Sequence, residues 1–422
     1  MNMAGLNWPR VGVPGGGGVW LLLLGLAVLH PVPQRPLSAQ VTVIRAERLM
    51  TSAEDGIVGP RFLVVRGGRI ASVTIQRPSG LPPAVQEFEA EFVTPGFIDA
   101  RTTLGLSGLH PGDDDRDETS GPNQAHLRAV DAFDLSDPLV GHSLRNGTTT
   151  VQTGPGDANS IGGQAGIFKL HGESVAGTVV RFPSGVVFSL DESAKLTYGA
   201  ARQFPSTRMA NVGLIRQALV DADRYRDRRS GDDPPPRDLR KEALAKVLER
   251  EIPALVSAER ADEIATALRL AGEFGFESLL VGATQVRVAL PLVLEANVPV
   301  LLGPPGEAAL RTETGDLLPQ TASELGDRGI RFALVTGDDE GAAQSSLLVV
   351  ARSAIRGGLT LEKALEAITI SPARILGLDA DLGSVEEGKV ADLVLFDGDP
   401  GAASTRVAAV FVEGTAAYVR GR

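Results

Sequence analysis

Four side chains at the ends of apolar runs carry most of the chemistry this chain offers. Arg101 follows Val93-Thr94-Pro95-Gly96-Phe97-Ile98-Asp99-Ala100, a run that stops at Pro-Gly and re-emerges as a strand after a turn. Thr103 stands two residues on, so the pair shares one face of that strand. A guanidinium keeps its charge and a threonine hydroxyl is a weak donor, so neither suits zinc. Lys169 ends Ile167-Phe168-Lys169, Glu259 follows Ser257-Ala258, and Asp338 follows Leu334-Val335-Thr336-Gly337, with Asp339 one place further. A lysine and two carboxylates at strand ends could hold an oxygen-liganded cation or move a proton.

Other candidates have plainer readings. Beyond residue 39 the histidines are His110, His126, His142 and His171, with no His-x-His or His-x-x-x-His spacing. They read as surface or supporting residues, and a regrouping around a different metal is the minority hypothesis. Asp113-Asp114-Asp115-Arg116-Asp117-Glu118 offers oxygen ligands but lacks the EF-hand spacing and glycine, so it reads as a solvated acidic loop. Pro155 to Gly163 follows a strand and could cradle a phosphate with backbone N–H groups. It lacks the P-loop Lys-Thr pair, and a glycine-rich strand-to-helix loop is the better reading. No Gly-x-Ser-x-Gly occurs, and neither Ser184 nor Ser257 has an evident histidine partner.

These residues need a scaffold. Residues 41–94 read as β, with Phe62–Val65 and Ile70–Val73 flanking the turn Gly67-Gly68. Ala391–Phe396, Val407–Val412 and Ala417–Val419 read the same way, so the two ends of the chain can share one small β-domain. Between them strands and helices alternate. Ile252–Val256, Ser278–Val281, Val298–Leu302 and Arg331–Val335 read as strands, and 261–274, 286–296 and 341–356 as helices. That alternation predicts a parallel sheet, and the 284 residues from 95 to 378 suit a closed barrel of roughly 250 residues. The charged, proline-rich stretch 224–240 reads as an exposed loop.

The first 39 residues carry Arg10 and Arg35 and no acid, then an apolar stretch from Val19 to Leu29, then Pro31, Pro33 and Pro36. That is the pattern of a secretory signal peptide cleaved before Gln40, and the apolar stretch is short for a membrane span. The net charge is -11 overall, and 39 basic against 52 acidic groups give -13 from residue 40 onward. Such a surface disfavours nucleic acid and anionic lipid. The absence of cysteine excludes disulfides, thiolate metal sites and thiol nucleophiles. A periplasmic protein with no membrane attachment after cleavage is the expectation.

The chain resembles the amidohydrolase superfamily. Pro95-Gly96-Phe97-Ile98-Asp99 resembles its first barrel strand. Ile368-Thr369-Ile370-Ser371-Pro372-Ala373-Arg374 resembles its last helix, and Leu382-Gly383-Ser384-Val385-Glu386-Glu387-Gly388-Lys389-Val390-Ala391-Asp392 its closing segment. Asn146–Val151, Pro155–Gln164, Lys195–Gly199 and Pro205–Met209 resemble the imidazolonepropionase-like branch. The resemblance implies a (β/α)8 TIM-like barrel over 95–378, inserted in a small β-sandwich formed by 40–94 and 379–422. It implies metal-dependent hydrolysis of C–N bonds other than ordinary peptide bonds, with zinc or another divalent ion at the barrel mouth. The family's ligand positions are occupied here by Arg101 and Thr103 on the first strand, Ser257-Ala258-Glu259 after the fifth and Gly282 after the sixth. Asp338, or Asp339 by a one-residue shift, stands where the resemblance puts the aspartate that manages the proton, and Lys169 corresponds either to the bridging lysine or simply to a strand-end lysine. Arg101, Lys169 and Glu259 are therefore expected to bind ligand at the mouth, with no metal ligand and no cofactor. The function this predicts is a secreted, catalytically degenerate member that binds a small molecule, a peptide-like ligand or a partner. The alternative is an active hydrolase of cyclic amides or N-acyl substrates with an altered, oxygen-ligand site. Association into oligomers fits the family, although no stretch specifies an interface.

Overall fold

Every residue from 41 to 44 is buried, so β1 (Val41–Met50) starts as a central strand. The structure is a computed structural model that describes residues 41–421, except 52–54, 304–319 and 338–345. The stretch read as a signal peptide, residues 1–39, therefore lies outside the described residues. In the small β-domain β1 is flanked by β3 (Arg61–Arg66), antiparallel, and β5 (Val85–Pro95), parallel, while the short β2 (Ile57–Val58) pairs with its end. Gly67 and Gly68 turn β3 into β4 (Arg69–Thr74) with φ of 58° and 80°, the left-handed geometry a tight hairpin requires.

The C-terminal strands β14 (Leu393–Phe396), β15 (Val407–Val412) and β16 (Thr415–Val419) join the same sheet, because β14 pairs antiparallel with β5. The two chain ends thus form one hydrogen-bonded sheet. Side chains alternate across it. Val93, Leu393 and Leu395 pack inside the small domain, whereas Phe92, Val394 and Phe396 join the core shared with the barrel.

The chain leaves β5 through Gly96 and enters the barrel. A Cβ on Gly96 would stand 2.3 Å from the Thr149 hydroxyl oxygen, so only glycine permits this approach. Eight strands follow in order around the sheet: β6 (Phe97–Thr102), β7 (Thr148–Thr153), β8 (Ile161–Lys169), β9 (Val179–Ser189), β10 (Ala254–Ala258), β11 (Ser278–Gly282), β12 (Val300–Leu302) and β13 (Phe332–Leu334). The ring closes where Gly337 N donates to Arg101 O at 3.0 Å. Ile98, Ile167, Val187, Leu255, Leu301 and Ala333 fill the interior.

Eleven helices lie between or beside these strands among the described residues: α1 (Pro138–Arg145), α2 (Val175–Thr178), α3 (Glu192–Ala200), α4 (Arg208–Arg229), α5 (Leu239–Leu248), α6 (Ala261–Phe274), α7 (Val286–Ala296), α8 (Thr321–Asp327), α9 (Leu347–Arg356), α10 (Leu361–Glu366) and α11 (Ile370–Ile375). Ile370 and Ala373 of α11 plug the barrel base. No described helix is long and apolar enough to cross a membrane.

Two details depart from the expected alternation. β8 runs antiparallel to both β7 and β9. The glycine-rich stretch 154–160 is therefore a strand-to-strand turn with no helix after it, too short for a parallel crossover. Residues 224–229 are also helical, as the last turns of α4, and only 230–238 form a connection. Their charges are solvated on an exposed helix and include an i,i+3 pair, Arg226–Asp223 at 2.6 Å.

Candidate functional site at the barrel mouth

Seven of the eight barrel strands point their C-terminal ends to one side, which defines the mouth. A register shift between Asp99 and Thr102 bulges β6 just before its end. Arg101 sits in this bulge and is 0% exposed. Its Nη2 donates to the carbonyl oxygen of Pro155 at 2.7 Å and to Asp157 Oδ1 at 3.3 Å. Ser257, at the end of β10, donates to the same Asp157 oxygen at 2.7 Å. Three elements therefore converge on a buried Arg101–Asp157–Ser257 cluster. Arg101 Nε and Nη1 have no hydrogen-bond partner among the described residues, so the guanidinium keeps donor capacity to spare.

Glu259 lies after β10, buried, where Thr284 donates to its Oε2 through both backbone N–H (2.9 Å) and hydroxyl. Its carboxylate fills the space over Gly282. A Cβ at 282 would come within 2.0 Å of Glu259 Oε1, on a backbone with φ of 77°. The sixth-strand ligand position is thus closed to any larger residue by the carboxylate beside it.

Of the other predicted residues, Lys169 is not at the mouth. Because β8 is reversed, its last residue lies at the base, paired with Thr150 early in β7. There Lys169 Nζ meets Asp392 Oδ2 at 2.6 Å and Thr150 Oγ1 at 3.1 Å. The expectation of a mouth lysine is corrected by this strand direction. Asp338 and Asp339 lie outside the described residues.

Three mouth residues were missed as site residues. Asp157 sits in a loop whose path only the fold reveals. Ser257 was set aside for want of a histidine. Asp99 gave a usable signal, a carboxylate set between the apolar residues Phe97-Ile98 and Ala100. It is buried, accepts the Thr336 hydroxyl at 2.6 Å, and also receives N–H groups of Arg101 and Thr336 at 3.3 Å. Burial pushes its pKa from 3.8 up to about 6, against the pull of the Thr336 hydrogen bond. Below the unfolded value both states hold the proton and stability is full. As pH rises through the folded value, the native state must ionise a buried group and that stability is lost. The difference corresponds to ~3 kcal/mol between about pH 4 and pH 7. Asp99→Asn should gain this amount over the wild type across that window in urea titrations. Parallel pH profiles for the two proteins would refute it.

The acidic loop folds onto the mouth. Asp117 Oδ1 accepts Ala158 N at 3.2 Å, and the Glu118 carbonyl accepts Asn159 Nδ2 at 3.1 Å. The Glu118 side chain is exposed and accepts its own loop's Ser120 N at 2.7 Å. Tyr198 donates to Asn159 Oδ1 at 2.5 Å. Burial, with the charges of Asp117 and Glu118 behind it, pushes the tyrosine pKa up to about 12.

These groups do not fit a divalent metal centre. The first-strand pair is a buried guanidinium and a threonine whose hydroxyl bonds Ser107 at 2.8 Å. A fixed positive charge repels a second cation at this point. Among the described residues no three His, Cys, Asp or Glu side chains gather as a metal would require, and none of the four described histidines enters the cluster. The unpartnered Arg101 donors suit a carbonyl or carboxylate oxygen, but the side chain is 0% exposed, so such a ligand reaches them only if the surrounding loops move.

Residues 319–419 match the Amidohydrolase family. The crystal structure of an amidohydrolase from Thermotoga maritima is 30% identical in sequence and superposes with a TM-score of 0.84, covering 90% of this chain and all of that one. An amidohydrolase named tasK from Hapsidospora irregularis is 26% identical over 408 residues, 87% of this chain. This chain spans only 41% of tasK, and its 41%-identical match to the imidazolonepropionase of Sphingopyxis alaskensis covers 19% of that protein. The imidazolonepropionase of Maricaulis maris is 27% identical over 379 residues, which is 90% of its length. With the closed eight-stranded barrel and the shared terminal sheet, these similarities place the chain in the amidohydrolase superfamily, in its imidazolonepropionase-like branch.

Proposed function

We propose that this protein is a secreted amidohydrolase-fold binding protein, catalytically degenerate, which takes a small-molecule or peptide-like ligand or partner at the barrel mouth. The observation that supports this reading is Arg101, buried where the superfamily places its first metal-binding pair. Metal-dependent hydrolysis needs a Lewis acid to polarise the scissile carbonyl and to supply hydroxide near neutral pH. A guanidinium can polarise a carbonyl weakly through hydrogen bonds. It cannot acidify a bound water to the same degree, and it cannot act as a base because it stays protonated. What remains is recognition, a cation with spare donors beside polar loops.

The alternative is hydrolysis at a site of oxygen ligands. It loses support from Lys169, which pairs with Asp392 at the base. The test is made on protein exported with its own leader and purified without chelators. The expected result is an intact mass for residues 40–422, no stoichiometric zinc, manganese or iron by plasma mass spectrometry, and no turnover of cyclic amides or N-acyl amino acids. Near-stoichiometric metal together with hydrolysis would overturn the proposal, and an uncleaved leader would overturn its secreted part.

A further inference from the structure

The base of the barrel holds a second feature, independent of the mouth. A cavity of about 870 Å3 opens beneath β7 to β12, beside α11. That is the size of a small-molecule site. Four arginines line it: Arg181 on β9, Arg250 ahead of β10, Arg331 ahead of β13 and Arg374 on α11. Arg181 donates to the carbonyls of Leu376 and Gly377 at 2.6 and 3.0 Å, Arg250 to Gly275 at 2.6 Å, and Arg331 to Asn297 at 2.8 Å. Backbone carbonyls thus hold three guanidinium heads without neutralising them. Among the described residues the Arg374 side chain has no hydrogen-bond or ion-pair partner, and no described carboxylate pairs with any of the four.

Two carboxylates, Glu251 and Glu277, also line the cavity, so four minus two leaves a lining of +2 in a chain of net charge -11. Two polar atoms of buried lining residues are unpartnered, Gln152 Oε1 and Ser278 Oγ. Apolar side chains, Phe276 and Leu279 among them, also line the cavity.

We propose that this cavity binds a small organic oxyanion. The arginines hold its phosphate or carboxylate groups, and the apolar wall covers its body. Charge-assisted bonds from guanidinium to an oxyanion are the strong ones, and the planar fork suits both groups. In barrels of this class the face opposite the mouth ordinarily serves stability. Three of these arginines bond carbonyls at the ends of α6, α7 and α11, which serves stability, whereas Arg374 makes no such contact.

The test is isothermal titration calorimetry of the full mature chain with pyrophosphate and, separately, citrate, at low and at moderate salt. Saturable one-to-one binding of either is expected, with pyrophosphate alone marking a phosphate ligand and citrate alone a carboxylate one. The double variant R331A/R374A should weaken binding at least tenfold. Arg374→Glu, which breaks no observed contact, should do the same if the double variant folds poorly. R228A/R229A removes equal charge from the end of α4, outside the cavity, and should leave binding within twofold. Absence of saturable binding by either anion, or equal weakening by both double variants, would overturn the proposal.

Discussion

Arg101→Ala is expected to destabilise the protein by about 3–5 kcal/mol, the range for breaking a buried ion pair by removing one partner. Arg101 is 0% exposed and the Asp157 side chain 4%. Taking away the guanidinium leaves the Asp157 carboxylate in the barrel mouth with the Ser257 hydroxyl but without its cation. It also frees the carbonyl of Pro155, which accepts the 2.7 Å bond that anchors the following turn. The double replacement R101M/D157N removes both charges while keeping most of the volume, and should recover much of the loss. Urea unfolding of wild type, R101M, D157N and R101M/D157N forms a complete cycle. A loss under about 1 kcal/mol for Arg101→Ala would mean that the pair carries none of the weight a buried pair should. Arg101→His is expected to bind no metal, because Thr103, Ser257 and Gly282 still offer no histidine beside it.

The same residue shows how far the sequence could be read. Arg101 was legible because a strand with a recognisable beginning ended in the wrong side chains. Its meaning was not legible, because the partner, Asp157, arrives from a loop 56 positions away. Helices α6 and α7 were predicted at Ala261–Phe274 and Val286–Ala296, where they stand. Each presents an apolar face and stops at a left-handed residue, Gly275 and Asn297 respectively. Terminal strands were equally clear, since two-residue alternation and Gly67-Gly68 act over a few residues. The reversal of β8 was hidden. A strand buries the same alternate side chains in either direction, so its pattern does not encode its sense. The one available signal was length: seven residues, 154–160, separate β7 from β8, fewer than a helical crossover needs. The end of α4 was misread for a related reason. Its arginines and aspartates gave no apolar stripe, and charge density and downstream prolines were taken as loop signals where they mark a solvated helix and its exit.

Misplacing β8 misplaced Lys169, and the correction yields an expectation of similar size. Lys169 and Asp392 are each about 5% exposed and meet at 2.6 Å, joining the barrel base to the residue that leads into β14 of the terminal sheet. Asp392 is engaged elsewhere too, since its Oδ1 accepts Glu413 N at 2.8 Å and its backbone oxygen accepts Gly96 N at 2.8 Å. Those contacts hold the carboxylate in place, so it cannot swing out to water when its cation is removed. Lys169→Met should therefore cost about 3–5 kcal/mol, while loss of an exposed pair such as Arg69–Asp381 should cost under about 1 kcal/mol. K169M/D392N should restore part of the loss, and only part, because the Glu413 N–H would face a weaker acceptor. Ligand binding at the mouth should be unchanged in K169M at a temperature where the variant remains folded. If binding fell while stability held, the lysine would be acting at the mouth, and the reversed direction of β8 would be wrong. A stability loss with binding intact is what a structural clip between the two halves of the fold requires.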